Sequence, residues 1–314
     1  MAKEIYPPLR LVNDFETLSS ILWECFQKIP ENLKLAGKIV EMTDNIQKQL
    51  NDNGMSVQDY RQLMHCIVNF YIIEEWREQK QVYIFPDEMF KIFCKETEDF
   101  DMDKRVFEYL PYKSIYLELN GYRSYHGMIM RYCKMEEKDN MLFLLIKNDG
   151  VTYRTLNFEF KEGEKFSDSI DRFIVDEDKD DVKSIMAFGF QAAMYLCAKN
   201  CDIEENSITK GTYKPGETIK NKFSEIRKWD VAERVVQEYK KSLEKLEESE
   251  QNEEDLDTTV KGTQTKRKSP RMHWRKAHWQ RYWVGKGRTK LVWKFIPPGI
   301  VNSTDDIVPI VKHV

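Results

Sequence analysis

Apolar positions follow four successive regimes along the chain. Over roughly the first hundred residues they recur with the 3.6-residue period of amphipathic helices. Phe15, Leu18, Ile21, Leu22 and Phe26 line one face of a helix that Asn13 or Asp14 caps and Pro30 ends. A weaker helix over Glu31 to Leu50 stops at the turn-like Asn51 to Gly54. Ser56 with Asp59 resembles a capping box and opens a long helix to about Glu78, with Tyr60, Leu63, Ile67, Phe70 and Tyr71 as its stripe. Gln81 to Phe85 is a short strand, and Asp87 starts a helix through about Cys94.

The period then changes to two. Ser114 to Leu119, His126 to Cys133, Met141 to Asn148 and Val151 to Phe160 are short apolar runs between turn residues. They predict a four-stranded antiparallel meander, with Asn148-Asp149-Gly150 as the turn between the last two. Tyr122, Tyr125 and His126 lie in the first connection and define no site on their own.

Helices return after the meander. Ser167 caps a short one that buries Ile170 and Phe173. Asp180 or Asp181 begins the most apolar helix, which runs on through Cys197 and Cys201, expected as a core-packed i, i+4 pair. Lys222 to about Glu247 reads as an amphipathic helix through Phe223, Ile226, Trp229, Val235, Val236, Tyr239 and Leu243. Composition then shifts to acidic, polar and finally basic over Glu244 to Pro270, the pattern of a solvated helix end and a linker. The tail after Asn302 suggests one more short strand.

The C-terminal stretch alternates again. His278, Gln280 and Tyr282 share one face of a strand, with Trp279, Arg281 and Trp283 on the other. Gly285-Lys286-Gly287 supplies a turn. Leu291, Trp293 and Phe295 then alternate with Lys290, Val292 and Lys294 until Pro297-Pro298 stops the strand. The expectation is a β-hairpin with an aromatic and a basic, polar face. An i, i+4 helical spacing of Arg275, Trp279 and Trp283 is the weaker alternative. The fold class is therefore α+β. A helical region (1–110) leads into an antiparallel meander packed by helices (111–247). An acidic-to-basic linker (248–269) then leads to a Trp-, Arg- and His-rich hairpin region (270–314).

Composition sharpens this picture at one place. The chain has 314 residues, 49 basic and 53 acidic, for a net charge of −4. That balance excludes a global affinity for nucleic acid or membrane. Yet four of seven Trp and two of five His lie between His273 and Trp293. No acid interrupts the basic residues from Lys266 to Lys294. Three uses fit. Cations and rings suit single-stranded nucleic acid, at roughly 1–3 kcal/mol per stacked base. Trp, Tyr and Arg are also the common anchors of peptide interfaces. A small satellite core with a solvated basic rim fits as well.

Other chemistry is not signalled. His273 and His278, five apart, do not converge, and no Cys, Asp or Glu is near them in sequence, so no metal site is expected. Phosphate-binding, dinucleotide, nucleophile-elbow and zinc-protease motifs are absent, so the chain reads as neither an enzyme nor a cofactor binder. Six scattered cysteines without a C-x-x-C pair suit a reducing cytoplasm. No apolar run reaches the ~18 residues of a membrane span.

The segment Arg271-Met272-His273-Trp274-Arg275-Lys276-Ala277-His278-Trp279-Gln280-Arg281-Tyr282-Trp283, then Trp293 to Pro298 and Val301-Asn302, resembles a C-terminal signature of plasmid and phage proteins. Their family includes a type V-A anti-CRISPR acting on effector biogenesis. Met272, Ala277 and Gln280 stand where the pattern has Pro, Gly and His. Leu110-Pro111, Tyr71 to Trp76 and Tyr195 to Ala198 look like weaker counterparts. The resemblance implies a bacterial, cytoplasmic protein that engages the nascent N-terminal polypeptide of a type V-A effector, with its mRNA or ribosome, and lowers effector production. Expected contacts are Arg271, Arg275, Arg281 and Lys294 as cations and His273 and His278 as switchable donors. Trp279, Tyr282, Trp283 and Trp293 supply the rings. The alternatives are an RNA-binding regulator with another target and a cryptic metal-dependent nuclease.

Overall fold

The strand Asn140–Lys147 carries an unbroken apolar run because both of its faces are covered. Met141, Phe143 and Leu145 enter one core, while Leu142, Leu144 and Ile146 enter a second on the opposite face. This computed structural model describes residues 7–11, most of 69–95, and 104–120, 122–134, 139–150, 152–161, 166–173, 179–210, 225–254 and 273–301. The helices expected over Asn13 to Lys28 and Glu31 to Leu50 lie outside the described residues, as do the start of the Ser56 helix, Arg271 and the tail strand.

The strands β1 (Gln81–Ile84), β2 (Ser114–Glu118), β3 (Tyr125–Cys133), β4 (Asn140–Lys147) and β5 (Tyr153–Glu159) come with three helices, one after β1 and two after β5. These are α1 (Asp87–Lys95), α2 (Phe166–Phe173) and α3 (Lys179–Leu196). Two strands follow, β6 (Ile203–Lys210) and β7 (Glu225–Val231), then α4 (Glu233–Glu254). The sheet order is β5-β4-β3-β2-β1-β7-β6. The meander β2 to β5 is antiparallel, as the alternation predicts. It is not a separate sheet, however. β1 joins β2 and β7 in parallel, and β6 closes the far edge, making a seven-stranded mixed sheet.

The expected helix from Lys222 to Glu247 is corrected. Glu225–Val231 is a strand, because Ile226 is needed in one core and Trp229 and Val231 in the other. Helix α4 begins only at Glu233 and continues to Glu254, into the segment whose composition suggests a linker. Glu and Lys are good helix formers and need no buried face there. Strand β6 escapes the sequence pattern because it is a polar edge strand, IEENSITK, with a register shift between Glu205 and Ser207.

Helix α3 lies on the first face of the sheet. Its Val182, Ile185, Met186, Phe188, Phe190 and Tyr195 are buried with Phe85, Phe93 and Phe107. Gly189 permits the close approach, since a Cβ there would sit 2.7 Å from the Met128 sulfur. The helix ends at Leu196, so Cys197 and Cys201 both lie beyond it and are not the helical i, i+4 pair expected. The helical residues from 69 to 79, where described, cover the opposite face with Ile72, Ile73 and Trp76. That helix stops at Lys80, whose φ of 47° and amide bond to the Trp76 carbonyl (2.7 Å) form a left-handed cap.

The tyrosines of the first meander connection are packing groups. Tyr122 stacks on Phe90 at 4.6 Å, Tyr125 is buried, and His126 Nδ1 meets the Tyr116 hydroxyl at 2.5 Å. No described helix is long and apolar enough to cross a membrane.

Candidate interaction surface

The C-terminal residues form two small antiparallel pairs. Strands β9 (His278–Val284) and β10 (Lys290–Ile296) make the expected hairpin, with Trp279 opposite Phe295, Arg281 opposite Trp293 and Trp283 opposite Leu291. Gly285 and Gly287 take positive φ, 88° and 83°, in its turn. Strands β8 (His273–Arg275) and β11 (Gly299–Val301) make the second pair, and Trp274 packs edge-on to Tyr239 of α4 at 6.0 Å.

The hairpin does not stand apart from the body. Ala277, Trp293 and Phe295 belong to the same buried cluster as the sheet and α3. The Phe295 ring meets Phe93 at 5.5 Å and Tyr195 at 5.7 Å, both edge to face. Main-chain bonds add to this contact. The Lys199 amide donates to the Trp293 carbonyl (2.9 Å). The Asn200 side-chain amide donates to the Phe295 carbonyl (2.8 Å), and its oxygen accepts from the Phe295 amide (3.0 Å). Asp202, two residues on, accepts from the Tyr195 hydroxyl and from the Arg234 amide at the start of α4 (2.9 Å). One short turn, residues 199 to 202, thus ties α3, α4 and the hairpin together.

This packing divides the candidate contact residues. Trp293 is 5% exposed and Trp279 is half-buried, its indole donating to Gln191 Oε1 at 3.4 Å. Both rings hold the hairpin against the core. Arg281 lies over the Trp293 ring at 5.4 Å. Trp283 is 54% and Tyr282 37% exposed, on opposite faces of β9. His273, Arg275, His278 and Arg281 are exposed, and Lys294 is half-buried. The Arg275 guanidinium donates to the Pro297 carbonyl (3.4 Å), which holds its charged end against the chain. Lys276, Lys286, Arg288 and Lys290 add exposed cations, and residues 273–301 contain no acid. Lys290 also sits over Tyr109, 5.8 Å from the ring, bridging the hairpin to the body. Asn200, Gln191 and Lys199, which set the hairpin's position, carry no motif that sequence reasoning could find.

The surface is cationic with two exposed rings, and it can attract anions and bury aromatic area. Among the described residues no group of three or more His, Cys, Asp or Glu could hold a metal ion. Cys197 and Cys201 are free thiols packed against the core. Burial pushes the Cys201 thiol up to about 12, with the nearby Asp202 charge adding to it.

A model of the anti-CRISPR type V subtype A2 (AcrVA2-like) family matches residues 83–303, from within β1 to just past β11. The chain belongs to this family. Membership supports an anti-CRISPR function and an interaction with a component of a CRISPR system. The crystal structure of AcrVA2 shares the fold, with a TM-score of 0.52 at 15% identity, over 95% of this chain and 100% of that one. No curated protein matches the chain significantly. The family match takes in the whole cationic hairpin, with Gln280, and the sequence positions of Met272 and Ala277 before it. Ala277 is buried in the main cluster, so a small residue is required there by packing.

Proposed function

We propose that this member of the anti-CRISPR type V subtype A2 family lowers production of a type V-A CRISPR effector during translation. It engages the nascent N-terminal polypeptide of the effector, together with its mRNA or ribosome, in the cytoplasm of a bacterial host. It acts by binding, without catalysis, and is carried by a phage or plasmid. The observation that supports this most is the family match across the cationic hairpin. On this reading Arg275, Arg281 and Lys294 supply cations, His273 and His278 donors, and Tyr282 and Trp283 the accessible rings. Trp279 and Trp293 hold the surface from beneath.

A pull-down from a bacterial lysate translating a type V-A effector tests this, with and without RNase. Wild type is compared with the Trp283→Ala, Arg281→Ala double variant. RNase-resistant recovery of nascent effector chains with ribosomes, lost in the variant, supports the proposal. Recovery of RNA without effector chains replaces it with an RNA-binding regulator of another target, whose binding falls steeply with salt. Recovery of neither refutes it.

A further inference from the structure

The hydrogen bonds that hold β10 reveal which backbone groups of β9 face outward. Trp293 and Phe295 of β10 bond to Lys199 and Asn200, on the edge away from β9. In an antiparallel pair a residue's N–H and C=O point to the same edge, and successive residues alternate. Trp293 and Phe295 are therefore in non-hydrogen-bonded pairs with Arg281 and Trp279, and so is Leu291 with Trp283. The amides and carbonyls of Trp279, Arg281 and Trp283 line the outer edge of β9. Among the described residues no strand pairs with that edge.

We propose that the outer edge of β9 takes an acidic, extended peptide segment as a third strand of the hairpin sheet. This rests on the proposed function and states how that surface recognises its partner: main chain first, alternate side chains second. Charge chooses the occupant. Residues 273–301, which include both strands of the hairpin, carry cations without an acid, so a second copy of the same edge is repelled, while an acidic strand is attracted. Alternate peptide side chains then face Arg281 and Trp283 on one side and Gln280, Tyr282 and His278 on the other. The exposed rings favour peptide over RNA. Trp279 and Trp293 are turned inward, and Tyr282 and Trp283 lie on opposite faces of β9, so no continuous stacking platform is present.

The test measures fluorescence anisotropy of a synthetic peptide of about ten residues, alternating Glu and Val, long enough for a full strand. Two further peptides of the same sequence are N-methylated, one at every Glu and one at every Val, so that between them each edge loses its donors while the charge is kept. On the protein side, Trp283→Pro is compared with Trp283→Ala. Both remove the indole, but only proline removes the outward amide, and Trp283 gives no amide to the β9–β10 ladder. Circular dichroism and thermal melting check the fold of each variant. Methylation in the correct frame is expected to weaken binding at least about tenfold, and proline to weaken it about tenfold beyond alanine. Equal binding of methylated and unmethylated peptides overturns the proposal, and it does so whether or not the proline variant folds. Displacement of the peptide only by a uridine-rich single-stranded RNA, with no loss on methylation, assigns the surface to nucleic acid and overturns it too. Methylation-sensitive binding without recovery of nascent effector from lysate leaves the edge standing and moves the target elsewhere.

Discussion

The Asn200 side chain copies one residue of a β-strand, and replacing it should loosen the hairpin by a calculable amount. Its amide and carbonyl close a two-bond ring on the backbone of Phe295, at 2.8 and 3.0 Å. Phe295 itself is fully buried. In Asn200→Ala both backbone groups lose their partners. A neutral hydrogen bond contributes about 0.5–1.5 kcal/mol net, and a buried group left unsatisfied costs about 1–3 kcal/mol. Asn200 is only half-buried, so water can reach part of the gap, and about 2 kcal/mol is expected in total. Asn200→Asp should be at least as damaging, since it keeps the acceptor but sets a carboxylate against the Phe295 carbonyl, near Asp202. Urea unfolding followed by far-ultraviolet dichroism and tryptophan fluorescence reads the global change. Hydrogen exchange of the β10 amides reads local opening of the hairpin. Loss of less than about 0.5 kcal/mol in both variants, with unchanged β10 protection, would refute the argument that this turn holds the hairpin in place.

Other outcomes follow from the same packing. Phe295→Ala, which empties a site between Phe93, Tyr195 and Trp279, should cost about 3–5 kcal/mol in denaturant unfolding. Trp283→Ala should change stability by no more than about 0.5 kcal/mol while weakening partner capture, which separates surface from scaffold. Gly127→Ala should destabilise by about 1–3 kcal/mol, because a Cβ there would lie 2.6 Å from the Leu117 carbonyl oxygen and 2.1 Å from the Tyr116 hydroxyl. The raised Cys201 and Cys197 thiols should resist iodoacetamide at pH 8 in the native protein and react once urea is added. Because these folded-state values lie above the ordinary thiol value, their stabilising contribution is complete below about pH 9 and falls as pH rises from there toward 12. A stability-against-pH series that stays flat from pH 9 to 11 would contradict that sign.

Local pattern decided much of this protein. The period-two runs from Ser114 to Phe160 are the meander, because a strand with one or two buried faces must alternate or saturate with apolar residues. The alternation from His278 to Ile296, with glycines at positive φ between, is the hairpin, and the concentration of cations there needs no tertiary information. Tertiary structure decided what local pattern leaves open. Ile226 and Trp229 are three apart, a spacing that fits a helix as well as a strand, and only the vacant edge of β1 makes Glu225–Val231 a strand. The polar strand β6 has no apolar signature, since it exists by pairing with β7. The Trp-rich hairpin was also ambiguous in use, because indole rings serve cores and interfaces equally well. Which rings face solvent depended on Asn200, Lys199 and Gln191, far away in sequence, whose bonds to β10 and Trp279 turn Trp279 and Trp293 inward and leave Tyr282, Trp283 and the β9 edge outside.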